Sequence, residues 1–159
     1  MSATAEPRQG AEVMRIPPPL YYAAGLAAGV LLDQAVALPI GARPATLVAG
    51  GVIAVAGLAL TSAGVATVVR HRTTLVPHHP VGTLLTGGVY RLSRNPMYAG
   101  LAVLYLGLTL MIGSWWPAVL GPLVIMAVHR LVIRPEERYL TRRFGRTYTD
   151  YQRRVRRWL

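Results

Sequence analysis

Cysteine is absent from the 159 residues, and so is lysine. Without cysteine there is neither a disulfide framework nor a thiolate metal site. Acidic residues are scarce: six stand against 17 basic ones, every one an arginine, for a formal net charge of +11. Charged residues together make up 14% of the chain, against roughly a quarter in a soluble domain. The 53% apolar share excludes intrinsic disorder, which needs low hydrophobicity. Long uncharged runs argue against a water-soluble nucleic-acid binder, and no nucleic-acid partner is expected despite the charge. There is no internal repeat, and no low-complexity tract beyond an arginine-rich tail. The length suits one domain.

What is present is sorted by position. About 20 mostly apolar residues cross a bilayer as a helix. Residues 20–40 form such a run, broken only by Asp33 and Gln34, and residues 45–69 form another with no charge. Residues 95–128 are also uncharged, but too long for one span at about 1.5 Å per residue. Gly113, Ser114 and Pro117 near the middle predict a tight helical hairpin with arms at 97–112 and 116–133. Trp115 and Trp116 sit at its turn, where amphipathic rings favour the membrane interface. The predicted fold is therefore all-α: an integral membrane bundle of four transmembrane helices, the last two a hairpin, followed by an arginine-rich amphipathic helix. A signal peptide is the alternative for the first run, since Arg8 and Arg15 precede it and Ala35-Val36-Ala37 resembles a cleavage site; the run, however, continues past a usual signal core. Gly25 and Gly29 form a small-xxx-small pair that suits close helix packing. Asp33 is expected to be structural, and Arg43 is within reach as one partner it could take.

Arginine placement orients the bundle, because cytoplasmic flanks are rich in basic residues. Arg8 and Arg15, Arg70 and Arg72, Arg91 and Arg94, and Arg134 and Arg138 flank the four spans on one side; only Arg43 falls in an outer loop. Both termini and the loop at 71–95 are thus expected on the cytoplasmic side of a multi-pass protein in a bacterial or archaeal inner membrane. The organisation is then a cytoplasmic segment 1–19, two spans within 20–70, and a catalytic region at 71–159. The tail beyond residue 134 holds eight arginines and three acids. Pro135 suits a first helical turn, with Glu136 and Glu137 at the positive helix end. Leu140, Phe144, Tyr148, Tyr151 and Val155 recur every three or four residues, an apolar stripe of the kind that lies on anionic lipid, with a break or bend expected at Gly145. The plainer reading of the arginines is topological anchoring.

Two segments on the expected cytoplasmic side could carry chemistry. In the first, residues 86–100, Asn95 is a good N-cap and Pro96 a good first helical residue. A helix starting there would favour an anion such as a carboxylate, and Arg91 and Arg94 add positive charge. The second is Glu136-Glu137, suited to a cationic or polyhydroxyl ligand. The hairpin puts both on one face, and an amino-acid-like ligand would use both. His129 closes the fourth span, where it is either a functional intramembrane group or an ordinary hydrogen-bonded one. His78-His79 lacks further ligands at metal spacing, so no metal is expected.

Arg94-Asn95-Pro96-Met97-Tyr98, with Gly100, resembles the Arg-His/Asn-Pro-x-Tyr-x-Gly motif of integral-membrane methyltransferases, the isoprenylcysteine carboxyl methyltransferase and phospholipid methyltransferase families. Glu136-Glu137, Phe144-Gly145, Tyr148 and Tyr151 resemble their Glu-Glu, Phe-Gly, Tyr, Tyr ending. The resemblance covers residues 73–159. It implies S-adenosylmethionine as cofactor, S-adenosylhomocysteine as product, and cofactor contacts at Tyr90, Arg94, Asn95, Pro96, Tyr98, Gly100, Glu136 and Glu137. It also implies an amphiphilic acceptor, either a membrane lipid or a lipidated small molecule. Arg130 or Arg134 would orient a carboxylate, and His129 or Glu137 would take a proton from an amine. Carboxyl methylation, phospholipid amine N-methylation and a non-enzymatic protein whose arginine-rich tail binds anionic lipid or a partner are the three readings. Asn95 stands where the prenylcysteine enzymes usually have His, and Asn cannot titrate.

Overall fold

The structure, a computed structural model, describes residues 16–71 and 83–159. Arg8, Arg15, Arg72, His78 and His79 lie outside them. The regular elements are α1 (Pro18–Ala35), α2 (Ala45–Arg70), a 3-10 turn (Gly88–Arg91), α3 (Pro96–Ile112), α4 (Trp115–Val128), a π turn (His129–Ile133), α5 (Arg134–Phe144) and α6 (Arg146–Arg154). The all-helical expectation holds among the described residues, whose one extended pairing is an isolated bridge between Pro39 and Ser114.

Two helices are long and apolar enough to cross a membrane: α2, with 26 residues, and the continuous helix Trp115–Phe144, with 30. The 18 residues of α1 and the 17 of α3 are shorter than the expected runs; α1 stops at Ala35, before residue 40. Along α2, Leu47, Val48, Val52, Val55 and Leu58 are exposed, as are Val119, Leu123, Ile125 and Met126 of α4. Side chains of this kind make a continuous apolar surface that water does not tolerate over such an area and lipid covers.

Small residues fix the packing. α2 lies along α3, and α1 along α4. A Cβ on Gly100 would collide with Thr61 Oγ1 and lie 2.6 Å from the Thr61 amide nitrogen and 2.8 Å from the Gly57 carbonyl. Gly50 is equally tight, 2.6 Å from the Gly107 carbonyl oxygen. Backbones this close gain dispersion along the whole contact, which drives helix association where lipid removes the hydrophobic drive. Gly25 faces Val124 and Gly29 faces Pro117, so the small-xxx-small pair of α1 packs on α4. Tyr22, Tyr98, Tyr105, Val124, Val128, Val132 and Ile133 form the buried cluster where α1, α3 and α4 meet.

The hairpin is as tight as the sequence implies. Gly113 ends α3 in the left-handed region (φ 77), where glycine avoids the Cβ clash. Ser114 then caps α4, its side chain accepting from the Trp116 amide at 3.2 Å. The Asp33–Arg43 pair does not form. Asp33 Oδ1 instead accepts from the Leu38 amide at 2.9 Å and from Ser114 Oγ at 2.8 Å, while Arg43 donates to the carbonyls of Met111 at 2.6 Å and Ile112 at 3.3 Å. The two residues serve adjacent parts of one turn: Arg43 takes the free carbonyls at the end of α3, and Asp33 ties α1 to the turn. Asp33→Ala leaves Ser114 and Leu38 without their acceptor, and a lower unfolding midpoint in detergent is expected.

α4 does not stop where the tail begins. The Arg134 amide donates to the His129 carbonyl, five residues back, and the chain then continues as α5. This π turn carries one extra residue and rotates α5 by ~100° relative to an unbroken α-helix. Glu136 and Glu137 therefore do not face a free helix N-terminus, contrary to the expectation from Pro135. Gly145 (φ 52) separates α5 from α6, the break anticipated there. The aromatic stripe is not offered whole to lipid: Tyr148 and Tyr151 are buried within the protein, their rings 6.1 Å apart.

Candidate functional site

The start of α3, the 3-10 turn, α5 and the segment after α6 meet at one end of the bundle, opposite the hairpin turn. Glu137 is their common point. It is 6% exposed, and its carboxylate is gripped by Arg157, whose Nε lies 3.1 Å from Oε1 and 3.0 Å from Oε2, with Nη2 2.7 Å from Oε2. Arg94 Nη1 stands 3.5 Å from Oε1. A fork-shaped guanidinium matches a carboxylate in two places at once, which makes this contact stronger and more directional than a lysine could. Donating these hydrogen bonds to Glu137 raises the pKa of the Arg157 guanidinium above its ordinary range.

The predicted motif is in the same place but is held differently. The Asn95 side chain makes no cap hydrogen bond to α3. Its Nδ2 donates to the Arg157 carbonyl at 3.1 Å, and the Asn95 amide donates to Ser93 Oγ at 3.0 Å. Ser93 Oγ in turn donates to the same Arg157 carbonyl at 3.1 Å, and the Arg94 amide donates to the Arg156 carbonyl at 2.9 Å. The capping expectation is thus corrected: the returning chain offers a carbonyl that Asn95 can reach, and its side chain turns there. Pro96 is buried as the first residue of α3.

Tyr98 donates from its hydroxyl to Glu136 Oε2 at 2.9 Å and accepts at its carbonyl from Tyr22 at 3.2 Å. Tyr90 is buried in the 3-10 turn, its carbonyl accepting from the Tyr151 hydroxyl at 2.5 Å. Burial pushes the phenols of Tyr148 and Tyr151 up to about 12 and that of Tyr90 higher still. None of these three serves as a base near neutral pH, and the Tyr151 hydroxyl is a neutral donor to the Tyr90 carbonyl.

The structure brings Tyr90, Arg94, Asn95, Pro96, Tyr98, Glu136 and Glu137 together. His129 lies within electrostatic reach of Arg157 and Glu137, and its Nδ1 is buried without a partner. Gly100 is elsewhere: it faces Thr61 in the α2–α3 contact. Arg130 and Arg134 are exposed on the rim, in no ion pair among the described residues. Two further residues of the cluster, Ser93 and Arg157, carry no signal in the sequence that sets them apart. Ser93 sits inside the motif as one small polar residue among several, and Arg157 is one of eight arginines in the tail. Among the described residues no group of three or more acidic or His side chains gathers to hold a metal.

Fold and site together define a helical membrane protein with a buried ionic cluster at one end of its bundle. A family model described as phospholipid methyltransferase matches residues 45–147, and the chain belongs to that family. It is also similar to two proteins named as O-methyltransferases. One is a protein-S-isoprenylcysteine O-methyltransferase of Schizosaccharomyces pombe, 33% identical over 72 residues, which is 45% of this chain and 30% of that protein. The other is protein-S-isoprenylcysteine O-methyltransferase B of Arabidopsis thaliana, 35% identical over 78 residues, 49% of this chain and 38% of that protein. The matches thus span well under half the length of either relative. No solved structure matches the chain.

Proposed function

We propose that the chain is a multi-pass membrane methyltransferase that uses S-adenosylmethionine and acts on an amphiphilic carboxylate, most like a prenylated cysteine. The observation that carries this reading is the convergence of the two motifs on Glu137, in a chain whose family model is a methyltransferase. The residues fit such a cofactor. Its ammonium needs a carboxylate with an unused lone pair, and Glu136 has one oxygen to spare after accepting from Tyr98. Its carboxylate needs donors, and Arg94 Nε is buried with no partner, an arrangement that is unfavourable unless something accepts from it. When bound, the cofactor supplies a methyl group on a sulfonium, to be passed in line to a nucleophile.

The protein's part is orientation and exclusion of water. Tyr98 holds Glu136 through its hydroxyl, Glu137 is fixed by Arg157, and the apolar belts let the acceptor's tail remain in lipid. Arg130 or Arg134, free at the rim, orients the acceptor carboxylate, which needs no base. The relatives' names favour carboxyl methylation. The family description favours a phospholipid acceptor; methylation of its amine would need His129 to take the proton. All four apolar helices would cross the membrane, with the site and both termini on the cytoplasmic side, the orientation that the arginine flanks favour.

Membranes with and without the protein, supplied with methyl-labelled S-adenosylmethionine, separate these readings. A carboxyl ester releases its label as volatile methanol in alkali, whereas an N-methyl group keeps it. Alkali-labile label in the lipid or peptide fraction is expected. Alkali-stable label would favour the amine, and no protein-dependent label would support the non-enzymatic reading. Arg134→Ala and Arg130→Ala, made separately, are expected to differ: losing the residue that orients the acceptor should raise KM for it about tenfold, while losing the other leaves it unchanged.

A further inference from the structure

Of the eight arginines in the tail, Arg138, Arg142, Arg143, Arg146, Arg153, Arg154 and Arg156 are exposed, and Arg157 alone is half-buried. Solvated positive charge accounts for the seven and not for the eighth. Arg157 is turned inward at both its side chain and its backbone. Its guanidinium grips both oxygens of Glu137, and its carbonyl accepts from Ser93 and Asn95 at 3.1 Å each. The preceding carbonyl accepts from the Arg94 amide at 2.9 Å, and the following Trp158 packs against the buried cluster. Ser93 is fully buried and Asn95 is 8% exposed, so these hydrogen bonds are shielded from competing water. Residue 157 also lies beyond the region matched by the family model.

We propose that Arg157 is a positioning residue of the site. It ties the start of α3 to Glu137 on α5, and it does so more closely than Arg94, the other cation on Glu137, which stands at 3.5 Å. With both Glu137 oxygens engaged, Glu137 is a frame for the site, and Glu136 is the acid left to meet a cationic ligand. The role assigned to Arg157 rests on the cofactor reading above for its effect on ligand, but not for its effect on the protein.

The test uses the full chain in detergent with two readouts. Arg157→Ala should lower the affinity for S-adenosylhomocysteine about tenfold or more, as expected when one partner of a shielded charged pair is removed. It should also speed exchange of the Arg94 and Asn95 amides, which the returning chain and Ser93 hold. Arg157→Lys, which keeps charge but loses the fork, should restore part of both. Arg154→Ala, in the same tail but exposed, should change neither. In a cycle with Glu137→Gln, the double variant should bind little worse than the weaker single one, because the two residues act as one unit. Arg157→Ala with wild-type affinity and wild-type exchange would overturn the proposal, as would full additivity in the cycle. If the wild type itself bound no S-adenosylhomocysteine, the cofactor reading would fall, and the exchange comparison would by itself decide whether Arg157 positions the motif.

Discussion

Glu137→Ala is expected to remove detectable binding of S-adenosylhomocysteine and to lower the unfolding midpoint as well. The variant strips the shared acceptor from Arg157 and leaves Arg94, 10% exposed at its side chain, with a guanidinium and no counter-charge. Breaking a buried ion pair from one side costs about 3–5 kcal/mol, a large share of the stability of a small bundle. Glu136→Gln should behave differently. Glu136 holds one hydrogen bond from Tyr98, which an amide oxygen still accepts, so stability should change little while binding falls through loss of the charge. Calorimetry and thermal unfolding on the two variants side by side check the contrast. Equal loss of stability in both would count against the assignment of Glu137 as the frame.

Gly100→Leu should prevent the chain from accumulating as a monodisperse folded protein. A side chain there meets the backbone of Thr61 and Gly57, which cannot rotate away as a side-chain tip could. Overpacking a core typically costs about 1–3 kcal/mol, and a clash with backbone along a whole helix pair belongs at or above the top of that range. Gly51→Ala is the matching control. It lies on α2 with nothing within 4 Å of the added Cβ, and alanine is a better helix former than glycine by about 1 kcal/mol, so it should be neutral or stabilising. Size-exclusion profiles after detergent extraction distinguish the two outcomes. The place of Gly100 in the motif suggests a cofactor contact, whereas its surroundings show a structural demand instead. A motif glycine can be required by a neighbouring helix.

The sequence makes legible whatever its periodicity and punctuation encode locally. The apolar runs are α1 to α4, Gly113-Ser114 is the hairpin turn, and Gly145 is the break before α6. The helix count is readable, whereas the span count rests on length, which α1 and α3 have less of. Other features depend on where distant segments end up. Asn95 reads as a cap because Asn usually caps, but a carbonyl 62 positions away competes for its side chain. Asp33 and Arg43 are opposite charges ten positions apart, yet the hairpin offers each a better partner. The stripe through Tyr148 and Tyr151 has the period of a lipid-facing helix, but the chain folds back and buries it against Tyr90. Glu136 and Glu137 are legible as a pair because acids are so few. Their division of work is not, since Arg157 is chemically identical to its seven exposed neighbours in the tail and only its position in space sets it apart.

The central claim is that the ionic cluster around Glu137 serves a methyltransferase cofactor site. Titrating the purified full chain with S-adenosylhomocysteine in a calorimeter tests it most directly. Saturable heat with one site per chain is expected, lost in Glu137→Ala and weakened in Arg157→Ala. A folded wild-type protein that gives no heat, or one whose binding survives Glu137→Ala unchanged, would contradict the claim.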